Sequence, residues 1–392
     1  MERWRERSRY RSSFFWCQSI DSGILCTGCR IGPTRPWGNA TMDSGVKSGR
    51  VTILDVAAAA GVSKSTVSRI LDERLPSSDN DTARKVRQIA EQLGYVRDVS
   101  AASLRRGQTM TIGVIVPRLT DTVMAMLYEA IARACARSGR IALVATTDEQ
   151  VEGELRAAES LLQRGVDGLI LATARDDDDL PDILTKRGVP FVLALRTDGK
   201  SLSSIGDDSL GGYLATRHLL DLGHRRIGII AGPGYASSAR GRQEGYVRAL
   251  GEQGIDPDPD LIVDSTFSID AGTDAALTLM RLSSPPTAIF AVNDNTAIGA
   301  MSALINLGLK VPEDVSLVGY NDIPIVGCLP TPLTTLRVPF DQIAMTALDL
   351  FISGRSRSRE PIQMAAPTLI PRRSTMANVQ KERTAAFTTR GG

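Results

Sequence analysis

Residues 51–71 read VTILDVAAAAGVSKSTVSRIL, and this stretch determines how the N-terminal part of the chain folds. Its first apolar residues recur at i, i+3, i+4 and i+7, which predicts a short amphipathic helix. The buried face of that helix carries Ile53, Val56, Ala57 and Ala60. Gly61 follows and ends the helix, because glycine adopts positive φ without a steric penalty.

A second helix is predicted directly after this turn. Ser63 is a good N-cap for it, and its apolar stripe consists of Val67, Ile70 and Leu71. Two short helices joined by a glycine-containing turn form a helix-turn-helix. A third amphipathic helix follows, with Asp79 or Asn80 as its cap, Gly94 as its stop, and a buried side of Val86, Ile89, Ala90 and Leu93.

The outward face of the second helix carries short polar and cationic side chains and no acid, namely Lys64, Ser65, Ser68 and Arg69. A helix in the DNA major groove needs this character, because it passes close to phosphates and offers donors to base edges. The alternative is a surface helix that is polar only because it is solvated, but the alanine-rich first helix and the glycine turn favour DNA binding. Charge agrees: residues 1–110 hold 18 Lys and Arg against 11 Asp and Glu, whereas residues 111–392 hold 28 against 33. A basic arm on an acidic body suits a nucleic-acid-binding protein.

The stretch resembles the DNA-binding headpiece of the lactose-repressor/galactose-repressor family, whose hallmark DVA-x-x-AGVS-x-x-TVSR is complete here in DVAAAAGVSKSTVSRIL. The resemblance implies that Lys64 and Ser65 read bases, that Ser68 and Arg69 contact bases or phosphates, and that Ser63 and Thr66 hold phosphates. It also implies a hinge at residues 98–109, in which Leu104 wedges between base steps of the minor groove. A plain linker with Leu104 packed on the body is the alternative.

From Thr111 onward, short apolar runs such as IGVIV, IALVA and DGLILA alternate with helical patterns. This alternation predicts parallel sheets covered by helices on both faces. About ten strands are too many for one open sheet, so two doubly wound lobes are expected, with a ligand cleft at the carboxyl ends of the strands. This body is expected over residues 110–374. A flexible tail is expected over 375–392, and it has no leucine heptads, so a dimer is expected.

Polar side chains converge at the predicted strand ends, and these are Asp121, Arg196, Ser238, Arg242, Asn293, Asp294, Asn321 and Asp322. Amides, carboxylates and guanidinium groups together suit a sugar-like, hydroxyl-rich ligand, and Phe267 could stack on its ring. Each residue also has a structural alternative: Asp294 and Asp322 as caps, and Arg242 as a surface cation.

The resemblance covers roughly residues 51–374, and the body is similar to periplasmic sugar-binding proteins, with signatures such as LGHRRIGIIAGP and FAVNDNTAIGA. It implies that Arg242 clamps an effector, that Ser238 and Asn293 hydrogen-bond it, and that Phe267 stacks on it. Asp121 and Val123 align with the loop after the first strand, and Asn321 takes a position that is often aspartate. Arg196 matches a frequent arginine, but Leu195 replaces the aspartate that often precedes it.

Other classes of protein find little support in the sequence. The five cysteines do not form a secreted disulfide framework, and Cys26 and Cys29 lack two further ligands for zinc, so neither metal nor cofactor is expected. The GKS at residues 199–201 lacks the glycine of a phosphate-binding loop, and there is no G-x-S-x-G elbow, so no enzyme is expected. With no long apolar run, a cytoplasmic location away from membranes is expected. Residues 1–50 are expected to be an extension that is disordered or not translated.

These patterns predict a transcriptional repressor with two parts. One is an all-α helix-turn-helix headpiece (51–97), and the other is an α/β, periplasmic-binding-protein-like body of two doubly wound lobes. A homodimer would bind a pseudo-palindromic operator in double-stranded DNA, under the control of a carbohydrate-like effector. Two alternatives stay open. They are a soluble sugar-binding sensor without operator specificity, and an enzyme that processes a sugar or nucleoside.

Overall fold

The computed structural model describes residues 51–72, 79–96, 107–354 and 360–378. The chain divides into two compact units, Met1–Arg97 and Asp98–Gly392. Residues 1–50, most of the predicted hinge including Leu104, and residues 379–392 lie outside the described residues, so the predictions made for them stay predictions.

The small unit contains three helices, α1 (Ile53–Ala60), α2 (Lys64–Ile70) and α3 (Asp81–Gln92). Gly61 ends α1 with φ 72°, as its position predicts. Asn80 is the N-cap of α3, since its Oδ1 accepts from the Ala83 N–H at 2.8 Å. The shared core consists of Val56, Ala57, Ala60, Val67, Val86 and Ala90. Leu93, predicted on the buried side of α3, is 39% exposed because the helix has already ended there.

The body begins with a first lobe of alternating strands and helices. Its elements are β1 (Thr111–Val116), α4 (Thr122–Arg137), β2 (Ile141–Thr146), α5 (Val151–Gln163), β3 (Leu169–Leu171), α6 (Leu180–Lys186), β4 (Phe191–Ala194) and β5 (Ser203–Gly206). The second lobe contains α7 (Asp208–Asp221), β6 (Ile227–Ala231), α8 (Ser237–Gly251), β7 (Ile262–Asp264), α9 (Ile269–Met280), β8 (Ala288–Ala291), α10 (Asp294–Asn306), β9 (Ser316–Asn321) and β10 (Thr334–Arg337). The chain then returns with α11 (Phe340–Ser353) and β11 (Ile362–Ala365) in the first lobe and β12 (Thr368–Ile370) in the second.

Each lobe is built on a six-stranded sheet. The strand order is β11-β5-β4-β3-β1-β2 in the first lobe and β12-β10-β9-β8-β6-β7 in the second. The described ladders are parallel except for β10 with β12. The prediction of two doubly wound lobes is therefore confirmed. Because each sheet mixes early and late strands, the chain crosses between the lobes three times, after β5, after β10 and after β11.

The body extends past the boundary predicted at residue 374. The Asn378 N–H donates to Leu222 O at 2.8 Å, and the ring of His224 lies 3.1 Å from Met376 O. Residues 375–378, predicted as part of a flexible tail, thus hold to the second lobe. The sequence did not indicate this, because the partners of the segment lie some 150 residues earlier.

Glycines let two helices of the second lobe touch backbone to backbone. A Cβ at Gly212 in α7 would lie 2.0 Å from Arg242 O in α8, and one at Gly245 in α8 would lie 2.1 Å from Ser209 O. Neither contact is sterically possible for alanine without moving the helices apart. The α7–α8 packing matters for function, because α8 carries two residues of the candidate effector site.

Gly245→Ala should destabilise the body by about 1–3 kcal/mol through overpacking, which corresponds to several degrees in melting temperature. Gly251→Ala is a matched control in the last turn of α8, since a Cβ there meets nothing within 4 Å. The control should be neutral or stabilising by up to about 1 kcal/mol, because alanine has the higher helix propensity. Thermal denaturation followed by circular dichroism measures both, and equal melting temperatures for the two variants would contradict the packing argument.

Candidate functional sites: an exposed helix and an inter-lobe cleft

Helix α2 begins at a compact cluster of hydroxyl groups. Ser63 is its N-cap, as predicted, since its Oγ accepts from the Thr66 N–H at 3.1 Å. The same Oγ lies 2.8 Å from Ser65 Oγ and 2.8 Å from Thr66 Oγ1. This network fixes the start of α2 relative to the turn before it.

The opposite faces of α2 differ sharply in character. Val67 is fully buried in the core, whereas Lys64, Ser65 and Arg69 are exposed and Ser68 is half-buried. Within the described residues, neither Lys64 nor Arg69 takes part in an ion pair. The helix therefore presents two uncompensated cations and short hydroxyl side chains on one face, which is the surface that DNA contact requires.

In the body, the carboxyl edges of the two sheets meet. The Thr197 N–H of the first lobe donates to Ser237 Oγ of the second at 2.9 Å. Arg240 Nη2 donates to Asp176 Oδ1 at 3.0 Å, and the Arg175 guanidinium lies 3.6 Å from the ring centre of Tyr235. Asp176 belongs to an acidic run interpreted from sequence as a loop or helix start, and it directly precedes α6. These contacts, which are mostly polar, join the two lobes at the mouth of the cleft.

Three of the predicted effector residues are buried and keep free polar groups. Arg196, Ser238 and Asn321 are 6%, 7% and 3% exposed. Within the described part of the chain, none of these side chains makes a hydrogen bond. Buried polar groups in native proteins are nearly always satisfied by protein, water or ligand. These three side chains, two from the second lobe and one from the first, are therefore available to a ligand in the cleft.

Arg242 is instead held by the protein. Its Nε donates to Asp208 Oδ1 at 2.8 Å and its Nη1 donates to Val292 O at 2.7 Å. The guanidinium also lies 3.8 Å from the ring centre of Tyr320. Burial raises the pKa of Asp208, and the adjacent Arg242 opposes that shift. The alternative of Arg242 as a surface cation is wrong.

Asn293 caps a helix, and so does Asp121. Asn293 Oδ1 accepts from the Thr296 N–H at 2.8 Å, and its Nδ2 donates to Phe267 O at 3.0 Å. Asp121 Oδ1 accepts from the Val123 N–H at 3.0 Å and from Asn295 Nδ2 of the other lobe at 3.4 Å. Burial raises the pKa of Asp121.

Two apolar residues were predicted at the site, and the structure places them differently. The side chain of Val123 is 6% exposed and lies in the core, so any contact with a ligand would come from its surroundings. The half-buried ring of Phe267 packs with Tyr235 and Val292 beside the cleft. Gly232 allows this, since a Cβ there would lie 3.0 Å from the Phe267 ring.

Asp294 and Asp322 support the backbone and neighbouring side chains at this edge. Asp294 Oδ2 accepts from the Ile323 N–H at 2.8 Å and its Oδ1 accepts from the Thr335 hydroxyl at 2.6 Å. Burial raises the pKa of Asp294 to about 7. Asp322 pairs with Arg337 at 2.7 Å and with Arg372 at 2.5 Å. Neither is an N-cap, because Asn293 caps α10.

Residues 52–98 match the family model of bacterial regulatory proteins, lacI family, and residues 216–375 match that of the periplasmic binding protein-like domain. The HTH-type transcriptional repressor PurR of Pasteurella multocida (strain Pm70) is 34% identical over 330 residues, which cover 82% of this chain and 98% of PurR. The chain belongs to the LacI family. The ribose operon repressor of Escherichia coli (strain K12) is also 34% identical, over 86% of this chain and 99% of that repressor.

Solved structures of LacI-family proteins agree. The lac repressor dimer bound to operator and the anti-inducer ONPF is 29% identical and covers 84% of this chain and 100% of its own, with a TM-score of 0.74. The complex of the transcriptional regulator CelR with cellobiose is 28% identical and covers 83% of this chain and 100% of its own, with a TM-score of 0.63. This LacI-family protein is thus a DNA-binding transcriptional regulator with a two-lobed effector domain.

Two other kinds of site were sought in the LacI-family chain. Among the described residues, no three or more His, Cys, Asp or Glu side chains lie together as they would around a metal ion. No helix within that same part of the chain is long and apolar enough to cross a bilayer.

Sequence reasoning missed a polar cluster on the first lobe of this LacI-family body. Glu154 in α5 is 2% exposed, and its Oε2 has no hydrogen-bond partner among the described residues. The buried hydroxyls of Thr147, after β2, and Thr173, after β3, are likewise unpartnered in that part of the chain. Burial, together with Asp178 nearby, raises the pKa of Glu154 to about 8. The sequence VEGELRAAESLLQ gave no signal, because it has the pattern of an ordinary amphipathic helix.

Glu154 should make the body less stable as pH rises. Its folded pKa of about 8 exceeds its ordinary value of 4.5, so the stability that its proton brings is full below pH 4.5 and is lost as pH rises toward 8. Asp178, Thr173 and Arg196 are the groups that act on it. Glu154→Gln should therefore reduce the loss of unfolding free energy between pH 5.5 and 8.5 by up to about 3 kcal/mol.

Urea denaturation at each pH measures this slope. Asp294, whose pKa is raised in the same direction, should leave part of the slope in the variant. Glu152→Gln, on the exposed side of the same helix, is the control and should keep the slope of the wild type. A Glu154→Gln slope as steep as that of the wild type would show that Glu154 carries no extra proton.

Proposed function

We propose that this protein represses transcription by binding a pseudo-palindromic operator as a homodimer, under the control of a carbohydrate-like effector held between its lobes. The observation that carries the proposal is the face of α2, where uncompensated Lys64 and Arg69 flank exposed Ser65 above a buried Val67. No acid lies in the first turn of this helix. Such a face gains favourable contacts from a polyanion and offers donors to base edges.

The DNA contacts divide into base-reading and phosphate-holding groups. Lys64 and Ser65 at the start of α2 read base edges in the major groove, and Ser68 and Arg69 extend that contact along the helix. Ser63 and Thr66 hold phosphates. Leu104 enters the minor groove as an apolar wedge, at a cost of a few kcal/mol in unstacking that is offset by wider contact.

The effector contacts follow from which polar groups the protein leaves free. Arg196, Ser238 and Asn321 bind the effector directly, and Phe267 stacks on its ring. Asp121 accepts from its hydroxyl groups. Arg242 and Asn293 act as positioning residues, because Arg242 holds Asp208 and Tyr320 while Asn293 holds the backbone of Phe267. Val123 supports Asp121 through its N–H.

Control of DNA binding would come from motion of the lobes. The lobes contact one another at their carboxyl edges through the few contacts of Thr197, Arg175 and Arg240 described above, so a ligand there changes their preferred angle. In a dimer that angle sets the separation of two headpieces, and half-sites one turn apart, about 34 Å, tolerate little error. Full switching requires an effector that prefers one state by about 5.5 kcal/mol. The protein would act as a regulator in the cytoplasm, without enzymatic turnover.

Selection from a random duplex library, followed by fluorescence anisotropy, tests the proposal. The full chain should select a two-fold symmetric sequence and bind it at least about 1,000-fold more tightly than a scrambled duplex at equal salt. Log affinity should fall linearly with log salt. Equal affinity for every duplex would contradict the proposal and favour a sugar-binding sensor without operator specificity.

A further inference from the structure

Arg196 is a buried cation for which the described part of the chain supplies no ionic partner. The other guanidinium groups around the cleft each have one: Arg242 pairs with Asp208, Arg175 with Asp177, and Arg240 with Asp176. Burial lowers the pKa of Arg196, which means that its charge is held in an unfavourable setting. An unpaired buried charge is costly and persists only where something compensates for it.

The acids nearest to Arg196 do not neutralise it. Glu149 and Glu154 are the carboxyl groups that act on it. Glu149 is engaged by Arg118, at 3.5 Å. Glu154 keeps its proton at neutral pH, since its pKa is raised to about 8. The Arg196 guanidinium therefore keeps a full positive charge at the mouth of the first-lobe sheet.

The surroundings of Arg196 also indicate the rest of the ligand. Its guanidinium carbon lies 5.4 Å from the ring centre of Phe267 and 5.8 Å from that of Tyr235, both in the other lobe. Ser238 and Asn321 add neutral polar groups without protein partners among the described residues. A single ligand that satisfies all of these groups has an anionic end, several hydroxyl groups and an apolar ring face.

We infer that the effector is a sugar acid, whose single carboxylate accepts two parallel hydrogen bonds from Arg196 while its hydroxyl groups meet Ser238 and Asn321. This inference rests on the proposed function and names the chemical class of its effector. A carboxylate matches one guanidinium in charge and geometry. A phosphate carries a charge of about −1.5 to −2 and would call for a second cation, but Arg118, Arg175, Arg240 and Arg242 are each paired with an acid.

Paired probes test the inference on the full chain by isothermal titration calorimetry and thermal shift at fixed ionic strength. The pairs are glucuronate with glucose, galacturonate with galactose, and gluconate with sorbitol, and glucose 6-phosphate serves as the dianion. In at least one pair the acid should bind about 10- to 100-fold more tightly than its neutral partner. Arg196→Met should remove that difference. Arg196→Lys, which keeps the charge but not the planar fork, should restore part of it.

A second measurement decides the matter even if none of these probes binds. Arg196→Met should raise the melting temperature of the free protein by about 2–4 °C, because it removes an unpaired buried charge. Arg225→Met removes an equal charge from an exposed position at the other end of β6 and should leave both stability and probe binding unchanged. A fall in melting temperature for Arg196→Met would make Arg196 a structural residue and overturn the inference.

Several outcomes overturn the inference without touching the proposed function. They are a neutral sugar that binds as tightly as its acid, glucose 6-phosphate that binds more tightly than the carboxylates, and an acid whose affinity Arg196→Met leaves intact. Operator affinity measured in the same titrations separates the two proposals. A neutral sugar that changes operator affinity keeps the regulator and removes the sugar acid. An acid that binds through Arg196 without changing operator affinity does the reverse.

Discussion

Arg242→Met is expected to lower the free energy of unfolding by about 3–5 kcal/mol, because it leaves the carboxylate of Asp208 buried without its partner. Both side chains of the pair are 8% exposed, and their Nε–Oδ1 distance is 2.8 Å. The substitution also removes the donor to Val292 O. Urea denaturation monitored by circular dichroism measures the loss. The loss should be larger at pH 8 than at pH 5, since a protonated Asp208 tolerates burial better than a charged one.

A double-mutant cycle separates the ion pair from the packing around it. Arg242→Met with Asp208→Asn removes both charges, so the double variant should be clearly more stable than the sum of the two single losses predicts. Arg217→Met is the matched control, because it breaks an exposed pair with Asp221 in α7 at 2.8 Å. That pair should contribute no more than about 0.5 kcal/mol. Additive losses for Arg242→Met and Asp208→Asn would mean that the two groups do not interact.

This ion pair illustrates which features the sequence could reveal. The headpiece was predictable because its signals act within a few residues: Ser63 caps its own helix, and Gly61 ends the one before it. The alternation of strands and helices is equally local, since each apolar run declares its own period. Arg242 and Asp208 lie 34 residues apart, and nothing in either segment indicates the other. Sequence reasoning therefore named Arg242 but missed what holds it.

The same limit explains the missed elements of the fold. β5 (SSIG) is half polar and was interpreted as a crossing between lobes, yet it is buried because β4 and β11 flank it. β11 pairs with β5 although some 160 residues separate Ile362 from Ser203. Neither strand has a strong pattern of its own. Their place in the sheet depends on the return of the chain along α11, which local periodicity does not encode.

Among the site residues, type and position after a strand were enough to select candidates. They were not enough to separate ligand contacts from caps. Asn293 and Asn321 are both buried amides at the ends of neighbouring strands, but Asn293 spends its groups on Thr296 and Phe267, while Asn321 spends none within the described residues. Only the three-dimensional partners distinguish these two residues. Glu154 was missed for the converse reason, since burial rather than residue type makes it unusual.

Substitution of the exposed face of α2 should have the largest effect on DNA binding. Lys64→Ala with Ser65→Ala is expected to weaken binding to the selected operator by about 2–5 kcal/mol, which is tens- to thousands-fold. Binding to a scrambled duplex should weaken only a few-fold, because that binding depends on charge, and the salt slope should fall by at most about 1. Fluorescence anisotropy at several salt concentrations measures both.

Lys85→Ala on α3 removes the same charge from another exposed lysine of the headpiece and is the control for charge alone. Because Lys64, Ser65 and Lys85 are all exposed, none of the substitutions should alter the melting temperature by more than about 0.5 kcal/mol of stability implies. A loss specific to the operator must then come from base contact and not from unfolding. If the α2 variant lost operator and scrambled binding in equal proportion, Lys64 and Ser65 would hold phosphates, and the readout of bases would have to lie elsewhere on the headpiece.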